Sequence, residues 1–423
     1  MNSFFSDLNS DILGTVLHIL YTYLPLWFPI LLFIAFLNIW LDYIVTKNIN
    51  KEGGVLLEMK LPKEITKSPL AMELVLTALW QKGSNSYLDT YMRGKTKPWF
   101  SLELVSIEGQ VKFYIWTRPK YRRLLESQVY AQYPGVEIHE SEDYTKTVFH
   151  PGKLKSSDPP PFWATYFKFT KPDVYPIKTY VDYGLDKNPD EEFKIDPMTS
   201  VLEFLGSLKK GEQVWIQILI QGHKKEGLED GRLYKKPFWK DAGEAEVKKL
   251  INKLKAEGGD DETGAKFRRP TKQEDEVINA LERCMSKLPF EVGIRGFYIA
   301  KPEAFDGIGI TGLIGSFKQY GSETLNGFKL GKFTDFDYPW QDWIGLGGIG
   351  RRIKRTDREV KMLDAYKRRS FFHTPYKNYL QKTIIMNTEE LATIFHFPGS
   401  VASTPTLQKS MSKKGEAPPN LPV

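Results

Sequence analysis

Cysteine is nearly absent from this 423-residue chain, whose only thiol is that of Cys284. A single cysteine excludes an intramolecular disulfide, which agrees with a reducing cytoplasm. The six histidines are scattered and show no spacing typical of metal ligands. We therefore predict neither a disulfide nor a metal site.

Complete catalytic motifs are also missing. No G-x-x-x-x-G-K-[ST] motif is present, because Gly315–Gly321 leads into Ser322 and Gly331-Lys332 is followed by Phe333. The H-E-x-x-H and G-x-S-x-G motifs are absent as well. We therefore expect a protein that is not a P-loop motor, is not an enzyme and uses no cofactor.

One glycine-rich segment, Gly345–Gly350, satisfies G-x-G-x-x-G formally. In a dinucleotide site this motif follows a buried apolar strand. Here Tyr338–Trp343 precedes it, and this stretch contains Pro339 and is typical of a loop. A mobile glycine loop or a close-packing turn is therefore the better interpretation.

A long uncharged stretch, Ile12–Leu41, stands near the N-terminus. A helix that crosses a bilayer needs about 20 apolar residues. Pro25 and Pro29 interrupt the stretch, so we expect an interfacial helix over 12–24 and a spanning helix over Leu26–Val45; a hairpin of two short segments is the alternative. A cleaved signal peptide would have a basic n-region and a small-residue cleavage site, and neither is present.

Charge asymmetry around this stretch predicts its orientation. The first 46 residues contain three Asp and no Lys or Arg, whereas four lysines follow closely: Lys47, Lys51, Lys60 and Lys63. By the positive-inside rule, the short N-terminus lies outside and the C-terminal bulk in the cytoplasm, on a single-pass anchor in the inner membrane. The net charge is +7 for the whole chain and +10 after the anchor, which suits an anionic partner.

After the anchor, residues 1–50, the segment 51–150 shows the element order β-α-β-β-α-β. Strands are predicted over Val55–Leu61 and Val136–His139, and a hairpin turns at Glu108-Gly109. One helix begins at Pro69 and another covers the residues after Tyr121. This order is that of a ferredoxin-like, split βαβ domain.

A proline-rich linker over 151–161 separates this domain from a second α+β domain, 162–400. Strands are predicted over Ala164–Phe169, Gln213–Ile220, Phe290–Ile299 and Thr383–Met386, and helices over 197–208, 244–256 and 271–288. The pattern predicts a second ferredoxin-like domain with long inserts, followed by a disordered tail over 401–423. The predicted fold class is thus α+β, with a transmembrane helix and two ferredoxin-like domains.

A basic segment, 351–369, follows the glycines and provides the candidate contact residues. They are Arg351, Arg352, Lys354, Arg355, Arg358, Lys361, Arg368 and Arg369. These cations could hold DNA phosphates, with Trp340 and Trp343 stacking on unpaired bases, or they could contact anionic lipid. The alternative is a solvated helix whose Val360, Leu363 and Tyr366 pack inward.

Several short segments carry a family resemblance. They are Ser68–Ala71, Phe113–Thr117, Glu126–Pro134, Asn387–Thr393, His396–Pro398 and Ser412–Pro422. Together they resemble the membrane-proximal amino-terminal region of bacterial type IV secretion and conjugation coupling ATPases, over about residues 55–422. The motor domain of that family is absent, which implies either a motor on a separate polypeptide or a truncated or split product.

The resemblance implies a membrane-anchored, non-catalytic adaptor in a type IV secretion or conjugative DNA-transfer system. Such an adaptor would dock a separate P-loop ATPase at the cytoplasmic membrane face and contact DNA or anionic lipid. The sequence leaves open whether the adaptor forms a homo-oligomer. The alternatives are a membrane-anchored enzyme or lipid-binding protein, and a pilus-assembly scaffold. A pilus scaffold normally places its domains outside the cytoplasm, which the charge asymmetry disfavours.

Overall fold

The chain has the predicted α+β fold with an N-terminal apolar helix, and this helix precedes one large antiparallel sheet, which was not predicted. The computed structural model describes residues 14–15, 18–19, 21–62, 65, 67–83, 86–148, 162–186, 195–226, 238–257, 268–334, 347–399 and 409–410. The predicted linker lies outside these residues, as does the predicted tail apart from 409–410. The predicted interfacial helix over 12–24 lies partly outside them.

The apolar segment forms helix α1 over Leu24–Glu52, which is long and apolar enough to cross a membrane. Pro25 lies in its first turn, where the missing N–H costs little, and Pro29 is accommodated inside the helix. The helix continues beyond the predicted end at Val45 and stops at Gly53. The φ of Gly53 is +64°, a conformation that glycine adopts without steric cost.

Ten strands form the sheet. They are β1 Val55–Pro62, β2 Trp99–Ile107, β3 Gln110–Thr117, β4 Glu137–Glu140, β5 Phe162–Phe169, β6 Glu212–Gly222, β7 Pro289–Ala300, β8 Phe328–Phe333, β9 Ile384–Asn387 and β10 Lys409–Ser410. The order is β10-β1-β3-β2-β6-β7-β5-β8, with β4 also on β1 and β9 also on β7. Only the short β1–β10 pairing among these is parallel.

Nine further helices follow α1 within the described residues. They are α2 Leu70–Leu79, α3 Tyr87–Tyr91, α4 Arg122–Gln132, α5 Pro197–Gly206, α6 Trp239–Glu257, α7 Lys272–Ser286, α8 Gly307–Gly315, α9 Gly347–Lys367 and α10 Thr388–Ile394. Five of them, α2, α4, α5, α6 and α7, lie in segments predicted to be helical. Thr271 and Glu274 form a capping box at the start of α7.

The strand order repeats. The first four strands are arranged β4-β1-β3-β2 and the next four β8-β5-β7-β6, so each group has the order fourth, first, third, second. Strands β2 and β6 pair antiparallel from Trp99 opposite Gln221 to Ile107 opposite Gln213. The two groups therefore share one continuous sheet.

Alternation along the strands builds two cores. In β6, Val214, Ile216 and Ile218 face the core that α2, α5, α8 and α10 cover. Trp215 and Leu219 face the opposite side, where they pack against residues of α9. Because both faces are covered, polar side chains that point into either core must find partners inside the protein.

The sheet has a defined orientation relative to α1. Strand β1 begins at Val55, directly after α1. The register places Thr117, Trp99 and the Gly222–Phe290 pair at the same end of the strands, which we name the anchor end. The opposite ends of β2, β6 and β7 form the far end. Strand β7, with 12 residues, spans about 40 Å between them.

Candidate functional site

The predicted basic segment lies largely in helix α9, Gly347–Lys367, so the last glycines of the G-x-G-x-x-G segment begin this helix rather than a loop or turn. Four candidates occupy its N-terminal part, where the structure describes the backbone only: Arg351, Arg352, Lys354 and Arg355. Trp340 and Trp343 lie outside the described residues. The inward-facing prediction is confirmed for Leu363 and Tyr366, which are buried.

The other candidates in this segment make local contacts. Arg358 donates to the carbonyl of Phe333 over 2.9 Å. Lys361 pairs with Asp357 at 2.8 Å and Arg368 with Asp364 at 2.8 Å, each one turn earlier on the helix. Lys361 and Arg368 are exposed, so they are available to an anionic partner.

Arg369 does not belong to any basic surface, in contrast to the expectation from sequence. Its side chain is 2% exposed and its Nε and Nη2 donate to the two carboxylate oxygens of Glu103 over 3.0 and 3.1 Å. It also pairs with Asp143. The charge is buried because Glu103, at an inward-facing position of β2, requires a cation in the core.

Glu103 is the centre of a buried polar network. Besides Arg369, it accepts hydrogen bonds from Ser101 Oγ at 2.7 Å, Tyr144 OH at 2.8 Å and Gln217 Nε2 at 2.9 Å. Burial opposes protonation of Arg369, but the charge and hydrogen bonds of Glu103 outweigh it and raise the pKa of Arg369. All these donors belong to the protein itself, so the network has the character of a structural element.

The junction between α1 and the anchor end of the sheet joins the apolar helix to the rest of the fold. Trp40 Nε1 donates to the carbonyl of Tyr91 over 2.7 Å, and the hydroxyls of Thr46 and Thr374 lie 3.2 Å apart. Ile44 is buried here, the one such residue of α1. The last turns of the helix are thus packed into the protein, although sequence alone predicted only an anchor.

Arg118 fastens the end of α1. Its Nη1 donates to the carbonyl of Ile49 over 2.9 Å, which also accepts from the amide of Gly53, and to the carbonyl of Gly53 just after the helix. The guanidinium lies 4.2 Å from the ring centroid of Trp99 and 5.3 Å from that of Trp116. Burial lowers the pKa of Arg118 to about 10, which still leaves it charged at neutral pH.

Two cavities flank this junction. The smaller, about 230 Å³, lies beside Arg118 and Trp99. The larger, about 490 Å³, lies between α1 and the 372–385 segment and is lined by four lysines and four carboxylates: Lys95, Lys97, Lys377, Lys382, Asp42, Asp173, Glu226 and Glu291. Lys97 pairs with Glu226 at 2.5 Å, and both are buried.

His373 lies at the wall that both cavities share, with its Nε2 3.3 Å from Gln221 Nε2. Burial, then the charges of Lys377, Lys97 and Arg118, lower its pKa to about 3. The imidazole is therefore neutral at physiological pH, and its Nε2 can accept a hydrogen bond from the amide of Gln221. Within the described part of the chain, no cluster of three or more His, Cys, Asp or Glu side chains could hold a metal ion.

A second buried polar cluster occupies the opposite face, and sequence inspection missed its role. It is built by α10: Glu390 caps the helix by accepting from the amide of Asn387 at 2.9 Å and also accepts from that of Ile177 at 3.0 Å. Burial raises the pKa of Glu390 to about 8. The capping-box spacing of Asn387 and Glu390 was the available signal.

His396 follows α10 and is buried. Its Nδ1 lies 2.8 Å from the carbonyl of Ala392 and its Nε2 lies 3.1 Å from Asp196 Oδ2. Both partners are acceptors, so both ring nitrogens carry hydrogen and the ring is an imidazolium. Burial opposes this charge, but the carboxylate of Asp196 outweighs it and raises the pKa of His396.

Fold and junction together define a class of protein: an α+β protein whose N-terminal helix can span a membrane and is packed into the end of its sheet. Residues 48–410 match the family described as a domain of unknown function, DUF8128. The chain therefore belongs to this family. No curated protein matches the chain.

Proposed function

We propose that the chain is a membrane-anchored, non-enzymatic scaffold that holds its sheet at a fixed position on the cytoplasmic membrane face. The observation that carries this proposal is the junction: α1 continues from its apolar part into contacts with Tyr91, Thr374 and Arg118. A simple tether would need no such contacts, whereas a platform for a partner needs a fixed orientation.

The dimensions of α1 agree with this role. Its apolar part, Leu24–Leu41, is about 27 Å long as a helix, close to the roughly 30 Å of a bilayer core. The lysines after residue 46 favour a cytoplasmic sheet and an external N-terminus. A pilus-assembly scaffold would require the reverse orientation.

We further propose that the two groups of strands are two ferredoxin-like domains joined edge to edge through β2 and β6. Their shared order, with helices between the first and second and between the third and fourth strands, supports this. The helices α6 and α7, between β6 and β7, would be an insert in the second domain.

The partner we propose is a P-loop ATPase on a separate chain, in a type IV secretion or conjugative DNA-transfer system. The short sequence segments that resemble coupling ATPases support it. The edge strand β8 and the exposed cations Lys361 and Arg368 provide surfaces for such a partner, for DNA or for anionic lipid.

Two measurements test this function. A Glu52→Cys chain in intact cells is expected to resist an impermeant thiol reagent, because the natural Cys284 is buried and gives little background; external labelling would reverse the orientation. The full chain in mild detergent is expected to co-elute with a P-loop ATPase encoded beside it. Failure to co-elute, or an unrelated gene neighbourhood, would contradict the adaptor role.

The nucleic-acid arm has its own test. Charge reversal at Arg351, Arg352, Arg355 and Arg358 is expected to weaken salt-dependent binding of single-stranded DNA by the full chain. Reversal of three exposed lysines outside α9, Lys67, Lys210 and Lys301, provides a control of similar charge change. If both variants bind single-stranded DNA with equal affinity, α9 is a solvated helix and not a DNA-binding surface.

A further inference from the structure

We propose that the short helix α3 rests on the bilayer beside α1 and gives the protein a second membrane contact. This inference rests on the proposed membrane anchoring and extends it, because a helix that crosses the membrane alone can tilt and rotate. A second contact at the lipid surface would fix the orientation of the sheet.

Helix α3 and the residue after it expose an apolar surface. Tyr87, Leu88 and Met92 are 55%, 66% and 65% exposed, although they lie within six residues of one another. Single exposed apolar side chains are normal on protein surfaces, but three large ones on one short segment indicate a contact. Thr90, on the other side of the helix, is buried against the protein.

Helix α3 contacts α1 near the end of the apolar part of α1. The hydrogen bond from Trp40 Nε1 to the carbonyl of Tyr91 holds the two helices together. Trp40 lies in the last turn of the apolar part of α1, just before Asp42. At this level a spanning helix leaves the hydrocarbon core, and Trp and Tyr are enriched there.

The backbone keeps the segment at this level. The φ of Gly94 is +63°, and a Cβ at this position would lie 2.4 Å from the carbonyl oxygen of Ile44. Only a glycine allows the loop after α3 to approach the backbone of α1 so closely. The contact between the two segments is therefore built into the fold.

The apolar surface of α3 is continuous with that of α1. Ile39 and Tyr43 flank Trp40 on α1 and are also exposed, so the apolar surface of α3 adjoins that of the anchor. Asp89 is the acid of this segment, and it is paired with Arg93 at 3.0 Å and Lys95 at 2.9 Å. Residues 87–95 therefore carry a net positive charge, which suits a bilayer with anionic headgroups.

Single-cysteine reporters in the full chain test this contact. The natural Cys284 is buried, so the unsubstituted chain measures background labelling. Leu88→Cys and Met92→Cys are labelled with an environment-sensitive fluorophore in liposomes of phosphatidylcholine and phosphatidylglycerol. Leu31→Cys, on α1, reports insertion of the anchor, and Ile308→Cys, 75% exposed beyond the far end of β7, reports a position in water.

Brominated lipid is expected to quench the reporters at Leu88 and Met92 nearly as strongly as the one at Leu31, and aqueous iodide is expected to quench only the one at Ile308. Quenching by lipid at Leu31 but not at Leu88 or Met92 would overturn the second contact and leave the anchor intact. Protection from iodide without quenching by lipid would assign the surface of α3 to a protein contact and also overturn it. Absence of lipid quenching at all sites, including Leu31, would overturn the membrane anchor itself.

Discussion

The neighbouring residues Arg368 and Arg369 should respond very differently to the same substitution. Arg369→Met removes the cation from the core and leaves the fully buried carboxylate of Glu103 with only its neutral donors. Removing one partner of a buried ion pair costs about 3–5 kcal/mol of stability. We expect the lower part of this range, because Ser101, Tyr144 and Gln217 still donate to Glu103.

Arg368→Met is the matched control. Its side chain is 55% exposed and forms an ion pair with Asp364 of α9, four residues earlier, a kind of contact worth about 0.5 kcal/mol or less. The unfolding midpoint of the full chain in detergent, followed by tryptophan fluorescence, is expected to fall by roughly 5 °C or more for Arg369→Met and by about 1 °C for Arg368→Met.

A third variant tests the cause. In the Arg369→Met background, Glu103→Gln removes the uncompensated charge and is expected to recover part of the lost midpoint, although Glu103→Gln alone should destabilise the protein. Equal midpoints for the two arginine variants would refute the buried-pair reasoning. So would an Arg369→Met chain of normal stability that binds DNA more weakly, because that result would return Arg369 to the surface.

Three further predictions follow from the junction and from α10. His396→Gln should lower the unfolding midpoint more at pH 6 than at pH 9. Because the pKa of His396 is raised in the folded state, its pairing with Asp196 stabilises the fold below the pKa of an unfolded histidine, and this stability is lost as the pH rises through the folded pKa. An equal loss at both pH values would contradict the imidazolium. Arg118→Met removes a donor to the carbonyl of Gly53 and one of the two donors to that of Ile49, so tryptic cleavage near Lys51 should become faster than in the control Arg123→Met, and unchanged cleavage would count against the fastening role. Gly94→Ala should destabilise the junction more than Gly184→Ala, since both glycines have positive φ but only a Cβ at Gly94 meets the backbone of α1, and similar midpoints would argue against the close approach.

Local sequence patterns predicted most elements of the fold because they report local physics. The turn at Glu108-Gly109, the capping box at Thr271 and the apolar alternation in β6 and β7 each reflect contacts between near neighbours in the chain. The pairing of β2 with β6 joins strands about a hundred residues apart, and no local pattern specifies it. The continuous sheet could therefore not be predicted.

The site was harder to predict because charge patterns do not report burial. Arg368 and Arg369 look alike in a basic run, yet a turn of positive φ at Arg369 directs its side chain into the core toward Glu103. In the same way, the sequence does not show that Arg118 is buried against the rings of Trp99 and Trp116. Each distinction depends on a partner that is distant in the chain.

The segments that carry the predicted resemblance to coupling ATPases lie together in the fold. Ser68–Ala71 leads into α2, Glu126–Pro134 overlaps α4, and Asn387–Thr393 forms most of α10; α10 packs on α2, and α2 packs on α4. The rings of Phe113 and Phe397 lie 5.6 Å apart, although their segments are far apart in sequence. Segments that meet in one core are constrained together by packing, and for this reason segments far apart in the sequence belong to one structural unit of this fold.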